Sequence, residues 1–172
     1  MTLLDKDLGE VTRVGDTVTI VFRRRYAKPV ERVWAAITVP ERLADWFCEV
    51  EIEALRPGAA ITLFFREADV RATGRITIYE PMRTMEWTWP QPEGGESVIR
   101  FDVEADGAGA RLTLTESGLP LKDGAGNAAG WHAHLDGLEG AMDGVRTSWA
   151  AILESEGRVN QIYKDRAPAS LA

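Results

Sequence analysis

The feature that most constrains the fold is an amphipathic stretch near the C-terminus that begins at Gly130. Large apolar residues recur there at steps of three and four, which place them on one stripe of an α-helix. These residues are Trp131, Leu135, Leu138, Met142, Val145, Trp149 and Ile152. The opposite face is polar and consists of His132, Asp136, Glu139 and Asp143. A helix this one-sided needs an apolar surface to cover, so the pattern predicts one long helix packed on the rest of the chain.

Short strands are predicted to supply that surface. A first strand, Val11–Tyr26, is rich in β-branched residues, and Pro29 and Pro40 then each begin a short helix. The strands that follow alternate apolar and polar residues and end at Gly, Pro or Asp, which indicates an antiparallel meander. They are Val50–Leu55, Ala60–Arg66, Val70–Tyr79, Thr84–Trp89, Ser97–Glu104 and Arg111–Ser117. The Gly/Ala-rich segment Leu119–Gly130 is predicted to be a loop. The order predicts an α+β fold of about seven strands with one apolar face under the long helix.

Length and charge narrow the classes of protein. The 172 residues predict a single domain over residues 1–157, followed by a C-terminal tail over residues 158–172. The net charge of −7 argues against nucleic acid or an anionic membrane as the main partner. No stretch approaches the roughly 20 apolar residues that span a bilayer. The single cysteine and the absence of a secretory pattern in Met1–Asp7 favour a cytoplasmic location.

Six motifs carry a resemblance to a known family. In chain order they are Pro29–Thr38, Pro40–Phe47, Arg56–Gly58, Ala72–Ile76, Glu80–Pro81 and Gly130–Trp131 with Leu135 and Leu138. Together they resemble the bacterial family named after the activator of the heat-shock-protein-90 ATPase (AHSA-type). That family lies within the helix-grip superfamily of START and birch-pollen-allergen proteins, often labelled SRPBCC. The resemblance covers about residues 17–153 and implies the fold more strongly than the activity, because one fold hosts many functions.

The resemblance implies an apolar cavity between a curved sheet and the long helix. Residues of the apolar faces are the candidates to line it and to bind a small hydrophobic or aromatic ligand. They are Trp46, Phe47, Phe65, Trp87, Trp89, Phe101, Trp131, His134, Leu135, Leu138 and Met142. The alternative for each apolar residue is packing in a dry core, where most inward-facing aromatic side chains lie.

A few polar residues are candidates for chemistry. His134 lies on the edge of the apolar stripe, where it would donate or accept a proton for a ligand or make a structural hydrogen bond. His132 lies on the other face, and an i, i+2 pair on a helix cannot chelate one metal. Arg24 shares inward parity with Phe22, so it could meet a ligand carboxylate. Cys48 is predicted to be a buried, inert thiol.

Three functions are compatible with these observations. The first is a binder of a small apolar or aromatic molecule without defined catalysis. The second is a cyclase, aromatase or hydrolase that uses the same cavity, with His134, Arg24 and Tyr79 as candidates. The third, implied by the family name, is a stress-related protein-interaction module. The sequence identifies no catalytic residue, and it holds no phosphate loop, nucleophile elbow or metal-ligand pair, so no metal or cofactor is expected. A homodimer through a sheet edge or the tail stays open.

Overall fold

The computed structural model describes residues 7–92 and 94–166. An eight-stranded sheet, four α-helices and two short 3-10 helices make up this part of the chain. The N-terminal elements are β1 (Glu10–Val14), β2 (Thr17–Tyr26), α1 (Val30–Thr38), α2 (Pro40–Trp46), β3 (Glu49–Ile52) and β4 (Ala60–Phe65). The remaining elements are β5 (Val70–Glu80), β6 (Thr84–Pro90), β7 (Glu96–Asp106), β8 (Gly109–Pro120), α3 (Gly124–Met142) and α4 (Trp149–Arg166).

The curved sheet is antiparallel throughout, with the strand order β1-β2-β8-β7-β6-β5-β4-β3. The predicted α+β helix-grip class, with a meander after two short helices, is confirmed. The strand count is eight rather than seven because Val11–Tyr26 is a hairpin. Gly15 has a φ of +62°, which turns the chain between β1 and β2.

The predicted C-terminal helix is in fact two helices. α3 begins at Gly124, so the second half of the predicted loop Leu119–Gly130 is helical. α3 ends at Met142, where the N–H groups of Gly144 and Val145 bond back to carbonyls of its last turn and Gly144 adopts a φ of +78°. Val145 is exposed, whereas Trp149 and Ile152 belong to α4. The single stripe through Ile152 was therefore a wrong interpretation, because its spacing continues across a turn.

α4 covers only part of the polar face of α3, because His132 is buried whereas Asp136, Glu139 and Asp143 stay exposed. Tyr163 of α4 is buried, and its hydroxyl lies 3.0 Å from Nδ1 of His132 and accepts a 2.8 Å hydrogen bond from the Gly9 N–H. Ser155 of α4 donates a 2.6 Å hydrogen bond to Asp136. His132 is therefore a buried residue of a helix–helix contact. The predicted boundary at residue 157 falls within α4, and residues 167–172 lie outside the described residues.

The core lies between the sheet and the helices α1, α2 and α3. Alternate residues of each strand point into it, as the period of two requires. Ile20, Phe101 and Leu114 from the sheet are fully buried, as is Leu138 from α3. Within the described ranges, no helix is long and apolar enough to cross a membrane.

Candidate functional site

A cluster of aromatic rings occupies the junction of α2, β4 and α3, and Phe47 lies at its centre. Phe47 directly follows α2, and its ring stacks on Trp131 at 4.9 Å between centroids and 19° between planes. It also stacks on Trp46 at 5.5 Å, and it meets Phe65 edge-on at 5.2 Å and His134 edge-on at 5.3 Å. Offset stacks and edge contacts are the favoured geometries for such pairs. These contacts hold Phe47 in one orientation.

Two open clefts lie against this cluster. The first, about 340 Å³, is bounded by α2, β3, β4 and the connection from α3 to α4, and residues 44, 46–49, 64–67, 146–149 and 152 line it. The second, about 210 Å³, is bounded by the first turns of α3 and is lined by Phe47, Phe65, Gly126, Asn127, Gly130, Trp131 and His134. Phe47 and Phe65 line both clefts, so these two rings form the wall between them.

His134 is the most constrained polar residue of the cluster. Its side chain is buried, and Nδ1 lies 2.9 Å from the backbone carbonyl oxygen of Trp46. A carbonyl oxygen only accepts hydrogen bonds, so Nδ1 must carry the proton. Burial lowers the pKa of His134, although the hydrogen bond to Trp46 opposes that shift. His134 is therefore a neutral imidazole near pH 7, with Nε2 as an unprotonated acceptor.

The structure adds Glu116, which sequence reasoning missed. It is 2% exposed, and its carboxylate accepts a 2.7 Å hydrogen bond from the Trp131 indole and a 3.0 Å bond from the Ser97 hydroxyl. Burial raises the pKa of Glu116 to about 7, and the two hydrogen bonds partly oppose this shift. The signal was present, since Glu116 shares inward parity with Leu112 and Leu114 on β8. The hydrogen bond to Glu116 therefore fixes the orientation of the Trp131 indole.

The eleven predicted ligand-binding residues divide into three groups. The residues that line one or both clefts are Trp46, Phe47, Phe65, Trp131 and His134. Trp89 is partly buried and packs on Phe47 and Phe65, at 6.3 and 5.7 Å. The rest lie in the packed core, at 3% exposure or less, and are Trp87, Phe101, Leu135, Leu138 and Met142. Phe101 packs against the cluster through an edge contact with Trp131, with 6.1 Å between ring centroids.

The polar candidates do not converge with His134. Arg24 is inward and buried as its parity predicts, but its guanidinium lies over the Phe22 ring at 5.2 Å. Tyr79 packs on Trp34 at 5.9 Å. Neither residue lines the two clefts, so the arrangement proposed for an enzyme is not assembled there. Cys48 lines the first cleft, and burial raises the pKa of its thiol.

No metal centre is evident in the part of the chain that the structure describes. Within residues 7–92 and 94–166, no three His, Cys, Asp or Glu side chains lie close enough together to hold an ion.

A curved antiparallel sheet packed on the long helix α3 is the arrangement of the helix-grip class of proteins. Within that class, the family model described as "Activator of Hsp90 ATPase homolog 1-like protein" matches residues 27–143. The chain belongs to this family, as the motifs predict. No curated protein matches the sequence.

Solved structures share the fold. The crystal structure of CalU16 from Micromonospora echinospora is 24% identical, with a TM-score of 0.75 over 94% of this chain and 96% of that one. A protein of Bordetella parapertussis, encoded by BPP1335, is 26% identical, with a TM-score of 0.66 over 93% and 91% of the two chains. DynU16, from the dynemicin biosynthetic locus, is 24% identical, with a TM-score of 0.63 over 76% and 48%.

Proposed function

We propose that this protein binds a small apolar, aromatic molecule in the two clefts that meet at Phe47 and Phe65. The observation that carries the proposal is the shared wall of two phenyl rings. Further aromatic residues line both openings, and the first is also lined by Glu49, Arg66, Glu67 and Arg146. A flat apolar ligand would stack on these rings in place of water. Its affinity would come mainly from apolar burial, at about 25 cal/mol per Å² before the losses of association.

The sizes of the clefts suit small ligands. Ligand pockets for drug-sized molecules typically measure about 300–1,000 Å³. The first cleft, at about 340 Å³, reaches that range, whereas the second, at about 210 Å³, suits a ligand of fewer rings.

The second cleft is bounded on one side by bare helix backbone. Gly126 and Gly130 lie one turn apart in α3, and both line the cleft. A Cβ atom added at either position would meet no atom within 4 Å. The two glycines therefore leave open space beside the aromatic rings, although glycine weakens a helix by about 0.5–1 kcal/mol relative to alanine. Open space that is kept at a cost in helix stability supports a ligand in the second cleft.

The test compares a variant that fills the second cleft with a matched control. Gly130→Leu places a large side chain in the cleft, whereas Gly157→Leu makes the same change on an exposed turn of α4 with no atom within 4 Å of its Cβ. Isothermal titration calorimetry with β-naphthyl methyl ether should show saturable binding to the wild type and to Gly157→Leu. Gly130→Leu should weaken binding by at least about tenfold. No saturable binding, or equal binding by both variants, would refute the proposal.

A further inference from the structure

Two polar side chains, Asn127 and His134, line the second cleft, and Nε2 of His134 has a role that the proposed function leaves open. The His134 side chain is 8% exposed and lines this cleft. Its other ring nitrogen, Nδ1, donates to the Trp46 carbonyl oxygen. Nε2 has no hydrogen-bond partner among the described residues, and it is not fully buried. Nε2 is therefore reached from the cleft.

The ring of His134 is held in place for this role. Phe47 and Phe65 contact it at 5.3 and 6.0 Å between centroids, both at steep angles. The hydrogen bond to Trp46 fixes the orientation and selects the tautomer with the proton on Nδ1. A preorganised acceptor loses little entropy when a donor binds it. His134 thus presents a lone pair at a fixed position beside the aromatic wall.

The rest of the lining determines which donors fit. The residues around the second cleft include no Asp, Glu, Lys or Arg, so an ionised ligand group would lose its hydration without gaining a counter-charge. The indole N–H of Trp131 is engaged by Glu116, which leaves only the ring face of Trp131 for the ligand. Asn127 donates from its amide to the Asp123 carbonyl. A neutral donor attached to an aromatic ring satisfies this arrangement.

We infer that the second cleft selects neutral aromatic molecules that carry a hydroxyl or N–H group, such as phenols, and that His134 Nε2 accepts that hydrogen bond. The inference rests on the proposed function and specifies the class of its ligand. His134 is a specificity-determining residue in this arrangement. The ligand's ring lies against Phe47, Phe65 and Trp131, and its donor points at the imidazole.

The test compares β-naphthol with β-naphthyl methyl ether, which have the same ring system but differ in the hydroxyl donor. Titration calorimetry on the wild type should give about fivefold tighter binding of the naphthol, the worth of one ordinary hydrogen bond. His134→Asn retains an amide N–H near the position of Nδ1 for the Trp46 carbonyl but removes the acceptor at the position of Nε2, so the preference should vanish. His134→Gln places an amide oxygen near the position of Nε2 and should retain part of the preference.

The control is His132→Asn, which removes the other histidine of α3. His132 contacts Tyr163 of α4 and does not line the cleft, so the preference should be unchanged. Nitrogen NMR of the wild-type imidazole should show the proton on Nδ1 and none on Nε2. Equal affinity for the two probes, or a proton on Nε2, would overturn this inference and leave the proposed function standing. Failure of both probes to bind would overturn both.

Discussion

Two glycines on α3 should respond in opposite directions to the same substitution. Glycine in a helix costs about 0.5–1 kcal/mol relative to alanine, so alanine is favourable wherever its methyl group has room. At Gly130 the added Cβ meets no atom within 4 Å. At Gly137 it overlaps Oγ1 of Thr147 and lies 3.0 Å from the Thr147 Cβ. We expect Gly130→Ala to stabilise the fold and Gly137→Ala to destabilise it.

The magnitudes follow from the local packing. Gly130→Ala should raise the free energy of unfolding by about 0.5–1 kcal/mol, the full helix-propensity difference. Gly137→Ala gains the same amount but must displace Thr147, whose N–H bonds to the Asp45 carbonyl at 2.7 Å. That bond ties the connection between α3 and α4 to α2. Overpacking of this kind costs about 1–3 kcal/mol, so the net effect should be a loss.

Urea unfolding monitored by circular dichroism measures both values, provided that the denaturant slope stays constant. Thr147→Ala removes the overlapping hydroxyl, so the double variant with Gly137→Ala should recover part of the lost stability. If Gly137→Ala proved as stable as Gly130→Ala, the close contact between α3 and residue 147 would be wrong. A loss of stability at Gly130 would contradict the open space beside the second cleft.

Three further predictions concern buried ionisable groups. Burial raises the pKa of Glu116 from 4.5 to about 7, so its contribution to stability is full below about pH 4.5 and is lost as pH rises through about 7. Between about pH 5 and 8, the free energy of unfolding should therefore fall by on the order of 2 kcal/mol more in the wild type than in Glu116→Gln. The same pH dependence of the unfolding free energy in both proteins would contradict this. The terminal nitrogens of Arg24 are buried without hydrogen bonds to described residues. Arg24→Met should therefore raise the free energy of unfolding, measured in urea, by about 1–3 kcal/mol, and a decrease would show that Arg24 has an ionic partner. Burial raises the pKa of the Cys48 thiol, so mass spectrometry should show alkylation by iodoacetamide only after unfolding, and rapid labelling of the native protein would contradict this.

Local patterns were sufficient to predict most of the secondary structure. Alternation on β6, β7 and β8 identified both the strands and their inward faces, because the side-chain period of an extended chain is set by the backbone alone. Pro29 and Pro40 marked the beginnings of α1 and α2 for a similarly local reason. The family motifs between Pro29 and Leu138 predicted how these elements assemble, and the family model over residues 27–143 confirmed the family.

The errors occurred where a local pattern is compatible with two structures. Trp149 and Ile152 continue the spacing of α3, yet Gly144 turns the chain and places them on α4. Periodicity records spacing but not continuity, so it could not separate one helix from two. Spacing placed His132 on the polar face, yet α4 folds back over this residue and buries it.

The chemistry of the clefts depends on contacts between residues far apart in the sequence. The alternating pattern shows that Glu116 points inward, but its raised pKa arises from burial beneath Trp131. The tautomer of His134 is set by the carbonyl of Trp46, 88 residues earlier in the chain. Which aromatic rings line a cleft and which fill the core likewise depends on how α2 and β4 meet α3. Side-chain direction follows from the local backbone, whereas desolvation and hydrogen-bond partners exist only once distant segments have packed.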